Sequence, residues 1–127
     1  TDLVIYSDPS RLQIVLGNLL SNAIKYMDPV KENPMIKISA SLRKSHIRFI
    51  VQDNGLGIPS QHIQKIFDMF YQANEKAEGS GLGLYIVKQT VEKLNGTILA
   101  ASEYTLGSTF TVVIPVYEEP DPESQSD

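Results

Sequence analysis

The sequence predicts an α+β fold, a two-layer sandwich in which a mostly antiparallel sheet of about five strands carries about three helices on one face. Helical and extended patterns alternate along the chain, and the extended ones come as neighbouring pairs separated by short turns, as hairpins do. The longest helical segment gathers its apolar residues on one broad side, as a helix lying on a sheet must.

Leu3 to Tyr6 reads as a short strand. Asp8 followed by Pro9 matches an N-cap with proline at the first helical position, and the helix should run to about Met27, where Asp28-Pro29 ends it. Met35 to Leu42 and His46 to Val51 alternate apolar and polar residues, which predicts two antiparallel strands joined near Arg43-Lys44-Ser45. Pro59 opens a second helix to about Phe70, and a polar stretch follows from Gln72 to Ser80. A third helix is expected from near Gly81 to Asn95-Gly96, a helix-stop dipeptide. Thr97 to Ala101 and Thr109 to Val116 close the domain as strands, with a turn at Leu106-Gly107-Ser108. Residues 1–117 form the expected domain. Residues 118–127 are acidic and offer nothing apolar to bury, so a disordered tail or linker is expected there.

The 127 residues suffice for one domain with a single core, and 42% hydrophobic with 20% charged residues is ordinary for a globular fold. No run of about 18 apolar residues occurs, and no charged stretch precedes an apolar block at the N-terminus, so neither a membrane span nor a signal peptide is expected. Cysteine is absent, which excludes disulfide scaffolds, thiol catalysis and cysteine-rich zinc sites. A net charge of −4 argues against broad nucleic-acid binding. It also means that an anionic ligand would need local cations, donors or a metal ion.

On a wheel of about 100° per residue, Leu12, Leu16, Leu19, Leu20, Ala23 and Ile24 form the side expected to face the sheet. Asn18, Asn22, Lys25 and Tyr26 cluster beside it, and no Asp or Glu occurs between Asp8 and Asp28. Asparagine oxygens can ligate a hard cation such as Mg²⁺, Lys25 can meet a phosphate, and Tyr26 offers a flat face to a base. The same stripe would also serve as a solvated polar face with Tyr26 at the edge of the core. Asp53-Asn54-Gly55-Leu56-Gly57-Ile58-Pro59 follows a predicted strand directly. Its glycines allow close approach of a ligand, and a strand-end Asp can accept from an exocyclic amine, although Asp-Asn-Gly is also a common turn. Gly79-Ser80-Gly81-Leu82-Gly83-Leu84 opens the third helix, where free N–H groups and the helix dipole favour phosphate; a plain hinge is the alternative. The spacing is neither a dinucleotide fingerprint nor a P-loop.

Taken in order, Asn18-Leu19-Leu20-Ser21-Asn22-Ala23-Ile24-Lys25-Tyr26, Asp53-x-Gly55-x-Gly57, Phe67-x-x-Phe70 and Gly79-Ser80-Gly81-Leu82-Gly83-Leu84 resemble the N box, first glycine box, F box and second glycine box of the catalytic domain of two-component sensor histidine kinases. Gly107-Ser108-Thr109-Phe110 leading to Ile114-Pro115 looks like that family's closing strand, and the resemblance covers about residues 1–117. It implies a Bergerat-type ATP site. Asn22 would ligate Mg²⁺, with Asn18 beside it near the phosphates; Lys25 would contact phosphate and Tyr26 would lie near the adenine. Asp53 would read the adenine amine, Gly55, Gly57 and Ile58 would shape the base pocket, and Thr109 would support it. Gly79, Ser80, Gly81, Leu82, Gly83 and Leu84 would bring backbone to the phosphates. Residues 71–80 would form a short ATP lid with Phe67 and Phe70 packed beneath it.

The same resemblance implies transfer of the γ-phosphoryl group of ATP to a histidine on a separate helical dimerisation domain, and then onward to a response regulator. His46 and His62 precede Ile47 and Ile63 and lack the acidic neighbour that follows such a histidine, so both are expected to be structural. Asn18 stands where hydrolytic members of the wider superfamily carry a glutamate, which favours transfer over hydrolysis. Many relatives read Phe-Tyr-Arg-Ala where this chain has Phe70-Tyr71-Gln72-Ala73, and the missing cation should weaken transfer or lid closure. Phosphotransfer by Gln72→Arg compared with the parent tests that expectation. A docking module without transfer activity and an anti-sigma-type serine kinase are the alternatives on the same fold. The fragment is expected to be cytoplasmic and monomeric, without nucleic-acid or membrane contact.

Overall fold

Residues 3–71 and 82–117 are described by the computed structural model. Helix α1 (Pro9–Lys25) begins where the sequence provides a cap: Asp8 accepts the Arg11 backbone N–H at 3.1 Å and pairs with the Arg11 guanidinium at 3.1 Å. Pro9 occupies the first turn, where its missing N–H is no loss. The helix closes at Tyr26, whose N–H bonds to the Asn22 carbonyl. Helix α2 (Gly83–Lys93) closes differently. Asn95 adopts a left-handed φ of 60°, and the Gly96 N–H returns to the Val91 carbonyl at 2.9 Å.

Among the described residues, four strands form one wholly antiparallel sheet: β1 (Ile36–Arg43), β2 (His46–Asp53), β3 (Thr97–Glu103) and β4 (Gly107–Pro115), in the order β1-β2-β4-β3. The register sets Asp53 opposite Ile36 on one side and Ser108 on the other. Ile47, Phe49 and Val51 of β2 and Phe110, Val112 and Ile114 of β4 point to one face at a two-residue period. Val15 and Leu19 of α1 and Val87 and Val91 of α2 complete this core. The two-layer α+β architecture is thus the one expected.

The details differ in four places. The fifth strand reduces to a single bridge between Tyr6 and Tyr117, because the Val116 N–H beside it turns instead to the Ser45 carbonyl in the β1–β2 turn. The expected helix over residues 59–70 is a 3₁₀ turn (Ser60–His62) continued by successive three-residue turns. His62, Lys65, Asp68 and Tyr71 donate to Pro59, His62, Lys65 and Asp68 respectively. Pro59 supplies no capping side chain, and the curved path seats Ile66 in the core and Phe67 edge-on to Phe110 at 6.4 Å. On α1 the buried line is Val15, Leu19 and Ala23, whereas Ile24 is 61% exposed. The helix packs against α2 as well as the sheet, which turns its buried line away from Ile24. The last turn lies at residues 104–106, so β4 starts at Gly107, two residues earlier than the pattern suggested.

Candidate active site

The cleft is built outward from the end of β2. Asp53 is 9% exposed, and its Oδ1 accepts the Gly55 N–H at 2.9 Å. Burial pushes its carboxyl above the usual range, opposed by backbone N–H bonds from Gly55 and Ser108 and by the Lys31 ammonium. The loop that follows is folded tightly against two others. A side chain at Gly55 would meet the Tyr26 carbonyl at 2.5 Å, and one at Gly57, where φ is +73°, would meet the Glu103 carbonyl at 2.2 Å. The Leu56 N–H donates to the Tyr26 carbonyl, and the Leu56 carbonyl accepts from the Thr105 N–H at 2.7 Å. Ser102 ties the floor together: its Oγ accepts the Ile58 N–H at 2.7 Å, donates to the Gly107 carbonyl at 2.8 Å and lies 2.9 Å from Ser108 Oγ.

Asn22 of α1 and Tyr26 at its C-terminal cap form one wall, Ile58, Ile66 and Tyr71 another, and Leu84 of α2 closes the side; Gly57, Asp53 and Ser108 complete the lining. The space so enclosed, open mouth included, is about 460 Å³. Burial raises the Tyr26 phenol above its usual value. Burial and the Asp68 carboxylate raise that of Tyr71, whose hydroxyl bonds to His62 Nδ1. A mostly apolar slot with one carboxylate and one hydroxyl at its floor suits a flat ring with an exocyclic donor.

Residues 7–118 match the family model described as histidine kinase-, DNA gyrase B- and HSP90-like ATPase. The chain belongs to this family. Within it, this histidine kinase-type ATPase domain is the catalytic, ATP-binding part of a sensor kinase. It is 33% identical over 120 residues to the sensor protein RprX of Bacteroides fragilis (strain YCH46), spanning 91% of this chain and 23% of that protein. The mycobacterial sensor histidine kinase MprB superposes with a TM-score of 0.74 at 30% identity, over 87% of this chain and 73% of that one. Full-length ShkA in complex with AMPPNP superposes with a TM-score of 0.78 at 29% identity, over 93% of this chain and 24% of that one. The chain spans less than a quarter of the length of the curated relatives it matches.

The ATPase domain brings Asn22, Tyr26, Asp53, Gly57, Ile58 and Leu84 to one cleft and sets Gly55 directly behind its floor. Asn18 lies one turn back on α1; its Nδ2 donates to the Ile14 carbonyl at 2.7 Å, and its Oδ1 lies 3.5 Å from where a side chain at Gly83 would sit. Lys25 is exposed, with its ammonium 5.3 Å from the Tyr26 ring centroid, outside the cleft lining. Leu82 occupies the cap position of α2 and Gly83 its first turn. Gly79, Ser80, Gly81 and Gln72, with all of the expected lid except Tyr71, lie outside the described residues. Phe67 packs on the core, whereas Phe70 is 65% exposed at a φ of +64°.

Thr109 is not in the cleft. It faces the opposite side of β4 in a shallow groove with Gln52 and Ala101, and Ser108 takes the position beside Asp53. Counting back by two from Phe110 would have found Ser108, since Val112, Phe110 and Ser108 share the inward face. Ser102 carried no comparable signal. His46 opens β2 and is exposed, away from the cleft lining.

Proposed function

We propose that this ATPase domain binds Mg-ATP and donates the γ-phosphoryl group to a histidine on a separate dimerisation domain of a sensor kinase. The observation that carries this reading is the buried Asp53 carboxylate at the floor of an apolar slot, beside Ser108 and between glycine turns that admit no side chain. Ionised, it accepts the adenine amine and rejects a ring that presents a carbonyl at that position. Tyr26 and Ile58 lie where they can sandwich the ring.

Among the described residues no group of three His, Cys, Asp or Glu side chains could hold a metal. Asn22 lines the cleft, and one amide oxygen is a suitable donor for Mg²⁺, which needs few protein oxygens when phosphate and water supply the rest. Asn22 would contribute its amide oxygen. The ion would neutralise charge on the phosphates. Asn18, one turn away, would hydrogen-bond toward the phosphates after giving up its bond to Ile14, and the exposed Lys25 would swing to meet them. Gly79 to Leu84 would add N–H groups at the start of α2.

With an amide at Asn18, nothing on the α1 wall can take a proton from water. The supplied imidazole nitrogen therefore attacks the γ-phosphorus, the bond to the β–γ bridging oxygen breaks, and ADP leaves carrying its electrons. The domain positions and neutralises; the reaction needs no protein nucleophile of its own. A cytoplasmic site, a histidine-bearing domain of the same parent protein and a downstream response regulator complete this reading.

Calorimetric titration with a non-hydrolysable ATP analogue, with and without Mg²⁺, tests it on the parent, Asn22→Ala and Asp53→Ala. Binding that needs Asp53, with a Mg²⁺ contribution lost in Asn22→Ala, supports it. Transfer to a separately supplied dimerisation domain then decides activity. Absence of binding at millimolar nucleotide would leave a docking module instead.

A further inference from the structure

Asp28-Pro29-Val30-Lys31 is a turn whose shape its own residues dictate. Asp28 Oδ1 accepts the Val30 N–H at 3.0 Å, the Lys31 N–H returns to the Asp28 carbonyl at 3.3 Å, and Pro29 sets the first φ. The turn sends the half-buried Lys31 side chain across to the glycine loop. There the ammonium donates to the Asn54 carbonyl, to the Gly55 carbonyl at 3.1 Å and to the Leu106 carbonyl at 3.3 Å. An ammonium has three protons, and three carbonyls meet it, two from the glycine loop and one from the β3–β4 turn. Converging carbonyl dipoles repel one another unless a cation lies between them.

We infer that Lys31 is a positioning residue for base recognition, a tethered cation that holds the Asp53–Gly57 loop against the β3–β4 turn and fixes the adenine-reading carboxylate. The inference rests on the proposed ATP site and deepens it. Asp53 also feels the Lys31 charge directly. The other titratable groups lining the cleft are the phenols of Tyr26 and Tyr71, both raised and hence neutral at physiological pH; His62 lies behind Tyr71. Glu103 on β3 is exposed. Lys31 is thus the cation acting on the carboxylate among the described residues.

The experiment is titration of the full chain, parent and Lys31→Met, with the non-hydrolysable ATP analogue from pH 4 to 8, beside urea unfolding of each. Methionine keeps the stem and removes the ammonium. Affinity should fall about tenfold or more, as expected for lost charge-assisted hydrogen bonds. The acid limb of binding should also move to higher pH, because a carboxylate without its cation protonates more readily. Lys31→Gln, which keeps a donor without charge, replaces the first variant if circular dichroism shows that Lys31→Met has lost the fold; it should show the same displaced limb. Binding by Lys31→Met within twofold of the parent, or weakened equally at every pH, overturns the inference. A parent that binds no adenine nucleotide removes the functional reading and this inference together.

Discussion

The two ends of the cleft are held in different ways. At the base end, three chain segments are locked on one another: the residues after α1, the glycine loop and the β3–β4 turn share backbone bonds through Leu56, side-chain bonds through Ser102 and the three carbonyls gathered by Lys31. At the other end, the polar side chains of α1 are engaged with their own helix. Asn18 bonds to Ile14, and Lys25 lies over Tyr26. The start of α2 has no capping side chain bonded at Leu82. The base end is preorganised, which lowers the ordering cost of binding. On the proposed reading, the other end would take the phosphates and would have to rearrange when charge arrives.

If so, damage should be asymmetric. Gly107→Ala strikes the base end hardest, because a methyl group there would stand 2.1 Å from the Asp53 carbonyl at a φ of +140°. Overpacking and backbone strain together should cost about 3 kcal/mol or more, read as a lowered urea midpoint. Asp53→Asn should keep the fold and weaken ATP-analogue affinity roughly 100-fold, the upper range for losing a charged hydrogen bond in a dry site; calorimetry gives the number. Asn22→Ala should cost about tenfold, and only when Mg²⁺ is present. An equal loss without the ion would mean that Asn22 acts on the nucleotide directly. Ser108→Ala should weaken binding a few-fold, as for one neutral hydrogen bond, while Thr109→Val should match the parent; the reverse ranking would put the wrong face of β4 in the cleft.

The smallest effect is one of pH. Asp53 binds its proton more tightly folded than unfolded, so its contribution to stability is complete below the ordinary Asp pKa and is lost as pH rises through its raised value. Asp53→Asn abolishes that loss. Its stability advantage over the parent in urea should therefore grow as pH climbs from about 3.9, with no change below.

Much of this was legible in the residues, for identifiable reasons. Asp8, Asn95-Gly96 and the alternating runs of β1, β2, β3 and β4 encode their structure within a few positions, so the sandwich and its strand pairs could be read locally. Asn22 and Tyr26 could be grouped because helical spacing puts them on one stripe, whereas Asp53 and Gly57 were placed only by the resemblance to the glycine box, since Asp-Asn-Gly alone reads as a turn. What escaped depended on tertiary partners. Residues 59–70 have helical spacing, yet they fold as successive three-residue turns that seat Ile66 in the core and Phe67 against Phe110. Ile24 belongs to an apolar stripe that α2 displaces. Lys31 looks like any solvated lysine until the loops that supply its carbonyls are folded. Thr109 and Ser108 were separable in principle, by counting from the buried Phe110.

The Tyr6–Tyr117 bridge has a mechanical meaning. The Tyr117 N–H meets the Tyr6 carbonyl at 2.8 Å, so the path into the domain and the path out of it touch at one corner. A pull applied across residues 3 and 117 loads that bridge before it loads the sheet.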